Sequence, residues 1–202
     1  MIFKTIFTRS AALALGLGLA LLLGSEARAR GETVYFTPRQ VLGEFFPHAD
    51  AVRFERFAPS APQRERLSRR LGYALGRDSY VFYVASTRGH VDGYALIDEE
   101  LGQHEPITFA VQLSPDGAVE RTEILVYRET RGEEVHCRRF LAQMRGKTVA
   151  QPVQAGVDID TVSGATISSR SLAIGVRRAL VLFDELVAHG PLTARMTARA
   201  GR

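Results

Sequence analysis

The sequence predicts an α+β fold: a single domain with an antiparallel sheet of about four strands flanked by helices. Ile107, Phe109, Val111 and Leu113 alternate with Thr108, Ala110 and Gln112, the period of two that turns one strand face to a core. Ser114-Pro115-Asp116-Gly117 is a hairpin signal, because proline presets φ and glycine admits positive φ. Helical periodicity lies at both ends of this β-rich stretch, an arrangement that suits α+β architecture.

The elements follow in order. Lys4 and Arg9 precede an uncharged run, Ser10 to Ser25, dominated by Ala, Leu and Gly, and Ala27-Arg28-Ala29 offers small residues at a cleavage site. That is the order of a secretory signal. The run falls short of the roughly 20 apolar residues a membrane span needs. Residues 1–29 are therefore read as a leader cut after Ala29, giving a periplasmic or secreted protein, soluble after cleavage. No cysteine ends the leader, so no lipoprotein anchor is expected. Residues 30–76 form an N-terminal helical segment, 77–190 the main domain and 191–202 a polar, disordered tail. Thr37-Pro38 reads as an N-cap with proline at the first helical position, in a short helix closed by Pro47. Leu67, Leu71 and Leu75 make a narrow stripe on a basic helix over 62–75, whose arginines are expected to form a solvated face.

Tyr80–Ala85 is aromatic and β-branched enough for a buried strand, Arg88-Gly89-His90 turns the chain, and residues 91–97 form the next strand. The alternating strand at 107–113 pairs across the hairpin with Val119–Tyr127. A helix over 133–144 gathers His136, Cys137, Phe140, Leu141 and Met144 on one face. The last helix, 167–188, aligns Leu172, Val176, Ala179, Phe183 and Leu186, with Arg170, Arg177, Arg178 and Glu185 outward. Gly190-Pro191 stops it.

Charge and cysteine content narrow the function. The leader holds Lys4, Arg9 and Arg28 against Glu26, so half of the formal net charge of +4 leaves with it. What remains argues against a nucleic-acid binder, which needs a clustered basic footprint. The single Cys137 cannot form an internal disulfide or by itself build a structural metal site, and is expected to be a buried thiol.

The most informative segment is residues 160–169, Asp-Thr-Val-Ser-Gly-Ala-Thr-Ile-Ser-Ser. It sets a small, hydroxyl-rich loop in front of a long amphipathic helix. The helix's first-turn N–H groups and the positive end of its dipole make a phosphate the natural guest. The segment resembles the flavinylation motif Asp-x-x-Ser/Thr-Gly-Ala-Thr of the FMN-binding domain family. Gly93-Tyr94, the Ser-Pro-Asp-Gly hairpin, Glu129-Thr130-Arg131-Gly132 and Phe140 before Gly146-Lys147 extend the resemblance over about residues 80–182. Their order is similar to that in the G subunit of Rnf and the C subunit of sodium-pumping NADH:quinone reductase, and closer still to stand-alone exported FMN-binding proteins.

The resemblance implies FMN joined covalently, by a phosphoester, to Thr166. It implies FAD as the FMN donor, a Mg²⁺-dependent FAD:protein FMN transferase as modifying partner, and a membrane or periplasmic redox partner. Ser163, Gly164, Ala165, Asp160 and Ser168 would surround the attachment point, Asp160 and Ser163 helping the transferase orient the loop. Glu129, Thr130 and Gly132 match the family's Glu-Thr-x-Gly segment, which lines the flavin. Here Arg131 replaces the usual proline, and a cation there favours anionic flavin. The chain would be an electron carrier rather than a complete oxidoreductase. The alternatives are non-covalent FMN binding and a non-redox accessory or scaffold subunit of a membrane redox complex.

Rival chemistries find less in the sequence. A hydrolase needs a base held against its nucleophile, and His48, His90, His104, His136 and His189 show no spacing that assigns one. There is no Gly-x-Ser-x-Gly elbow and no Walker loop. His136-Cys137 are adjacent on a helix, diverge, and lack a second ligand pair, so no metal site is expected.

Overall fold

The computed structural model describes the backbone of residues 5–8 and all of residues 32–188. The strands are β1 (Thr5–Thr8), β2 (Thr33–Val34), β3 (Ala51–Phe57), β4 (Tyr80–Thr87), β5 (His90–Leu101), β6 (Pro106–Leu113) and β7 (Val119–Tyr127). They form one antiparallel sheet in the order β1-β3-β4-β5-β6-β7-β2. The meander β4 to β7 is the four-stranded core that alternation predicts. Its hairpins are where the turn chemistry sets them: Arg88 and Gly89 have φ of 49° and 82°, and the Gly117 N–H donates to the Ser114 carbonyl at 2.9 Å.

The flanks widen this sheet. Ala51-Val-Arg-Phe-Glu-Arg-Phe57 mixes apolar and charged residues without a clean alternation, so β3 is not legible in the sequence, yet it pairs with β4 along seven residues. Gly190-Pro191, the 191–202 tail and most of the 1–29 leader lie outside the described residues. Among those described, no helix is long and apolar enough to cross a membrane.

The sheet is covered on both faces. Helix α1 (Pro38–Phe45) has Thr37 as N-cap with a reciprocal Gln40 capping box, and buries Val41, Leu42 and Phe45 against Ala85, Ala95, Ala110 and Leu125. The larger core lies opposite, where Phe82, Leu96, Phe109 and Ile124 meet α2 (Ala61–Leu71) and α4 (Thr166–Leu182). Gly175 lets α4 descend onto Phe109, since a Cβ there would overlap the ring. A π-helical stretch, Phe183–Ala188, continues α4.

Several local expectations change. Helix α2 ends at Leu71 because Gly72 takes the left-handed C-cap (φ 81°), leaving Leu75 beyond it. Its arginines are not simply solvated: Arg70 binds Asp184 at 2.6 Å, Arg66 binds Glu185, and Arg64 binds Asp78 at 2.8 Å. The 133–144 stretch is not one helix. A 3₁₀ turn (Glu133–His136), the short α3 (Arg138–Leu141) and another 3₁₀ turn (Ala142–Met144) are divided at Cys137, whose ψ of 137° is extended. That break carries Cys137 off the apolar face, and the thiol is exposed rather than buried. Arg178 does not face outward. It is buried beneath α4 and pairs with Asp98 at 2.8 Å and with Glu100, because β5 supplies the carboxylates that make a buried guanidinium tolerable.

Candidate functional site

Thr166 is the first residue of α4 and its side chain is exposed. The residue before it, Ala165, is the N-cap and has no side-chain oxygen, so no side chain caps the helix. The first-turn N–H groups are thus left for an external acceptor, and the helix dipole adds partial positive charge. Asp160, Ser163 and Gly164 are exposed in the preceding loop, Gly164 with φ of 80°, while Ala165 is buried.

The loop is tied down from several directions. Gly146 N–H donates to the Val119 carbonyl at 2.7 Å and Val119 N–H to the Lys147 carbonyl at 2.8 Å, which fastens its entry to β7. Next, Asp158 accepts the N–H groups of Gln154 (2.7 Å) and Val153 (3.2 Å) and pairs with Lys147 Nζ at 2.9 Å. Burial alone would raise the Asp158 carboxyl, but those donors hold it below its ordinary pKa. Arg177 of α4 donates to the carbonyls of Val149 and Gln151 at 2.7 and 2.9 Å.

Two side chains hold the motif itself. Gln143 takes the Asp160 backbone from both sides: its Oε1 accepts the Asp160 N–H at 2.8 Å and its Nε2 donates to the Asp160 carbonyl at 3.2 Å. Buried Ser169 accepts the Val162 N–H at 3.1 Å and donates to the Ala165 carbonyl at 2.8 Å, while Ala165 N–H closes a turn onto Val162 at 2.9 Å.

A second segment meets the first at Gly132. A Cβ on Gly132 would sit 2.7 Å from Tyr127 Oη, 3.0 Å from Ser168 Oγ and 3.4 Å from Ala165 Cβ, and its φ of 86° suits glycine. Residues 129–132 are therefore drawn against the mouth of α4. Tyr127 makes the join, donating to the Arg131 carbonyl at 2.6 Å and sharing a 2.9 Å hydrogen bond with Ser168. Burial pushes the Tyr127 phenol up, which keeps it a donor.

The expected site residues divide on this geometry. Thr166, Asp160, Ser163 and Gly164 lie at the open surface of the loop, and Thr130 and Arg131 are exposed beside it. Ser168 is buried and engaged with Tyr127. Glu129 turns its carboxylate to the β5–β6 hairpin, accepting N–H groups of His104 at 2.6 Å and Glu105 at 3.1 Å. Burial would raise its carboxyl, but these backbone donors hold it low. Nearby, Tyr35 stacks on His136 with ring centroids 3.7 Å apart and donates to Glu133. Tyr127, Gln143, Ser169 and Asp158 are not among the site residues expected from the sequence. Their partners are mostly backbone atoms, so no residue pattern announces them.

The α+β domain thus presents an uncapped helix start, a pre-shaped loop and an exposed threonine together, an arrangement whose free N–H groups suit an anionic group. Residues 102–181 match the family model of the FMN-binding domain. Among solved structures, the chain is similar to NqrC of Shewanella oneidensis, with 14% identity over 77% of this chain and 87% of that one, at a TM-score of 0.47. No curated protein matches the sequence.

Proposed function

We propose that this protein is an extracytoplasmic flavoprotein that carries electrons through FMN esterified by its phosphate to Thr166. The observation that carries the reading is the exposed Thr166 hydroxyl at an uncapped helix start, inside an intact Asp-x-x-Ser-Gly-Ala-Thr motif. Attachment is the work of a Mg²⁺-dependent FAD:protein FMN transferase. The bond from Thr166 Oγ1 to phosphorus forms, the pyrophosphate bond of FAD breaks, AMP leaves, and the threonine proton passes to base.

The residues present suit a phosphate ester. The first-turn N–H groups of α4 are placed to donate to its anionic oxygens, Gly164 and Ala165 keep the approach open, and the Tyr127–Ser168 join fixes the floor. Thr130, Gly132 and Arg131 border the same mouth. Bound FMN supplies the redox chemistry; the chain supplies placement, hydrogen bonds and local charge. A covalent link suits a compartment where free FMN is scarce, because a dissociating cofactor is lost by mass action. The signal-like leader supports export, and a periplasmic or membrane redox partner would donate and accept the electrons.

Co-expression with such a transferase, followed by intact mass measurement of exported protein, tests this. The expected result is one FMN increment, yellow colour retained after acid precipitation, and loss of both in Thr166→Val. An increment that persists in Thr166→Val overturns the attachment site. Acid-releasable flavin indicates non-covalent binding, and colourless wild-type protein an accessory role.

A further inference from the structure

We infer that Gln143 is a positioning residue for flavin attachment: its amide fixes the Asp160 backbone so that the Asp160 carboxylate and the Thr166 hydroxyl reach the transferase in one geometry. This rests on the flavinylation proposed above and deepens it.

The geometry favours a role in presentation over one in holding the fold. Gln143 sits on the 3₁₀ turn Ala142–Met144, which is anchored independently by buried Phe140, Leu141 and Met144 and by the two backbone hydrogen bonds between Val119 and Gly146-Lys147. On the loop side, the arch through residues 147–158 has its own clasp in Asp158 and Lys147. Ile159 is buried, and Asp160 is the first residue of the exposed motif. Between Ile159 and the Ser169 bond at Val162, the described side-chain hydrogen bonds to this backbone are those of Gln143. The amide is suited to the task because one end accepts and the other donates, matching both polar groups of a single residue's backbone. Meanwhile the Asp160 side chain stays exposed. The backbone is clamped and the carboxylate is offered outward.

Loosening this clamp makes the transferase pay the ordering cost on binding, so the effect belongs in KM for the acceptor protein rather than in kcat. The test is the initial rate of FMN transfer onto the exported protein, read by intact mass across acceptor concentrations. Gln143→Ala is expected to lower kcat/KM about tenfold, carried by KM, with a melting temperature near that of wild type. Gln143→Glu keeps the acceptor for the Asp160 N–H but loses the donor, and should fall between. It also serves as the working variant if the alanine form does not fold. Because Gln143 acts through Asp160, combining Gln143→Ala with Asp160→Asn should lose little more than Asp160→Asn alone. Wild-type kinetics in both Gln143 variants, a loss confined to kcat, or fully additive losses would overturn the inference. If wild-type protein takes no FMN at all, the attachment reading itself falls.

Discussion

A hydroxyl shared between two partners is sensitive to the loss of one atom, and Tyr127 Oη is such a hydroxyl. It joins the Arg131 carbonyl to Ser168 inside a buried contact, so Tyr127→Phe strands both. The expected cost is about 1–3 kcal/mol in urea unfolding. Ser168→Ala added to Tyr127→Phe should cost little more, since it removes a polar atom already left alone; an additive double mutant would refute the coupling. Gly132→Ala attacks the same join from the other side. Its Cβ would press on Tyr127 Oη and Ser168 Oγ at a backbone angle that disfavours L side chains. A loss of about 1–3 kcal/mol is expected, together with weaker flavin retention in the unlinked Thr166→Val protein. These residues border the Thr166 loop without themselves carrying the Thr166 hydroxyl.

At the scale of elements, two carboxylates hold loops by collecting N–H groups, and both should make the protein acid-sensitive. Asp158 and Glu129 have folded pKa values below their ordinary ones. Such a group contributes stability that is present above the unfolded pKa and is lost as pH falls through the folded one. Asp158→Asn should therefore lower the melting temperature at neutral pH, with the gap to wild type closing as pH falls below the ordinary carboxylate range. A gap that stays constant with pH would refute the charge-based account. Helix α4 depends on a different charge. Removing the Arg178 guanidinium leaves Asp98 buried with Arg77 as its remaining ion-pair partner among the described residues, so Arg178→Met should destabilise by about 3 kcal/mol. The meander, its hairpins and the Thr37 cap were legible because they are local: alternation, turn residues and capping chemistry sit within a few positions of each other. The Arg178 burial was not, because it depends on carboxylates of β5, Asp98 and Glu100, about eighty residues away. Likewise the Asp160–Thr166 segment is legible as a sequence pattern, while its Gln143 and Tyr127 supports are set by tertiary contact.

For the whole molecule, the leader and the fold make a joint demand. Strand β1 lies within residues 1–29, where it pairs with the edge of β3, yet the proposed export removes it. The domain must therefore stand without it. That is physically reasonable: β3 keeps its seven-residue ladder to β4, and α1 still covers Val52. What cleavage does leave is an open β3 edge carrying Arg53 and Arg56, and charged side chains blunt an edge against strand addition by other chains. A chain beginning at Arg30 should thus fold cooperatively, remain monomeric, and accept FMN at Thr166 as fast as the full-length chain does. Thermal unfolding, sizing and intact mass on that truncated chain check each part. If it unfolds at room temperature or aggregates through its edge, the leader is part of the working domain, and cleavage after Ala29 must be abandoned in favour of a retained N-terminal segment.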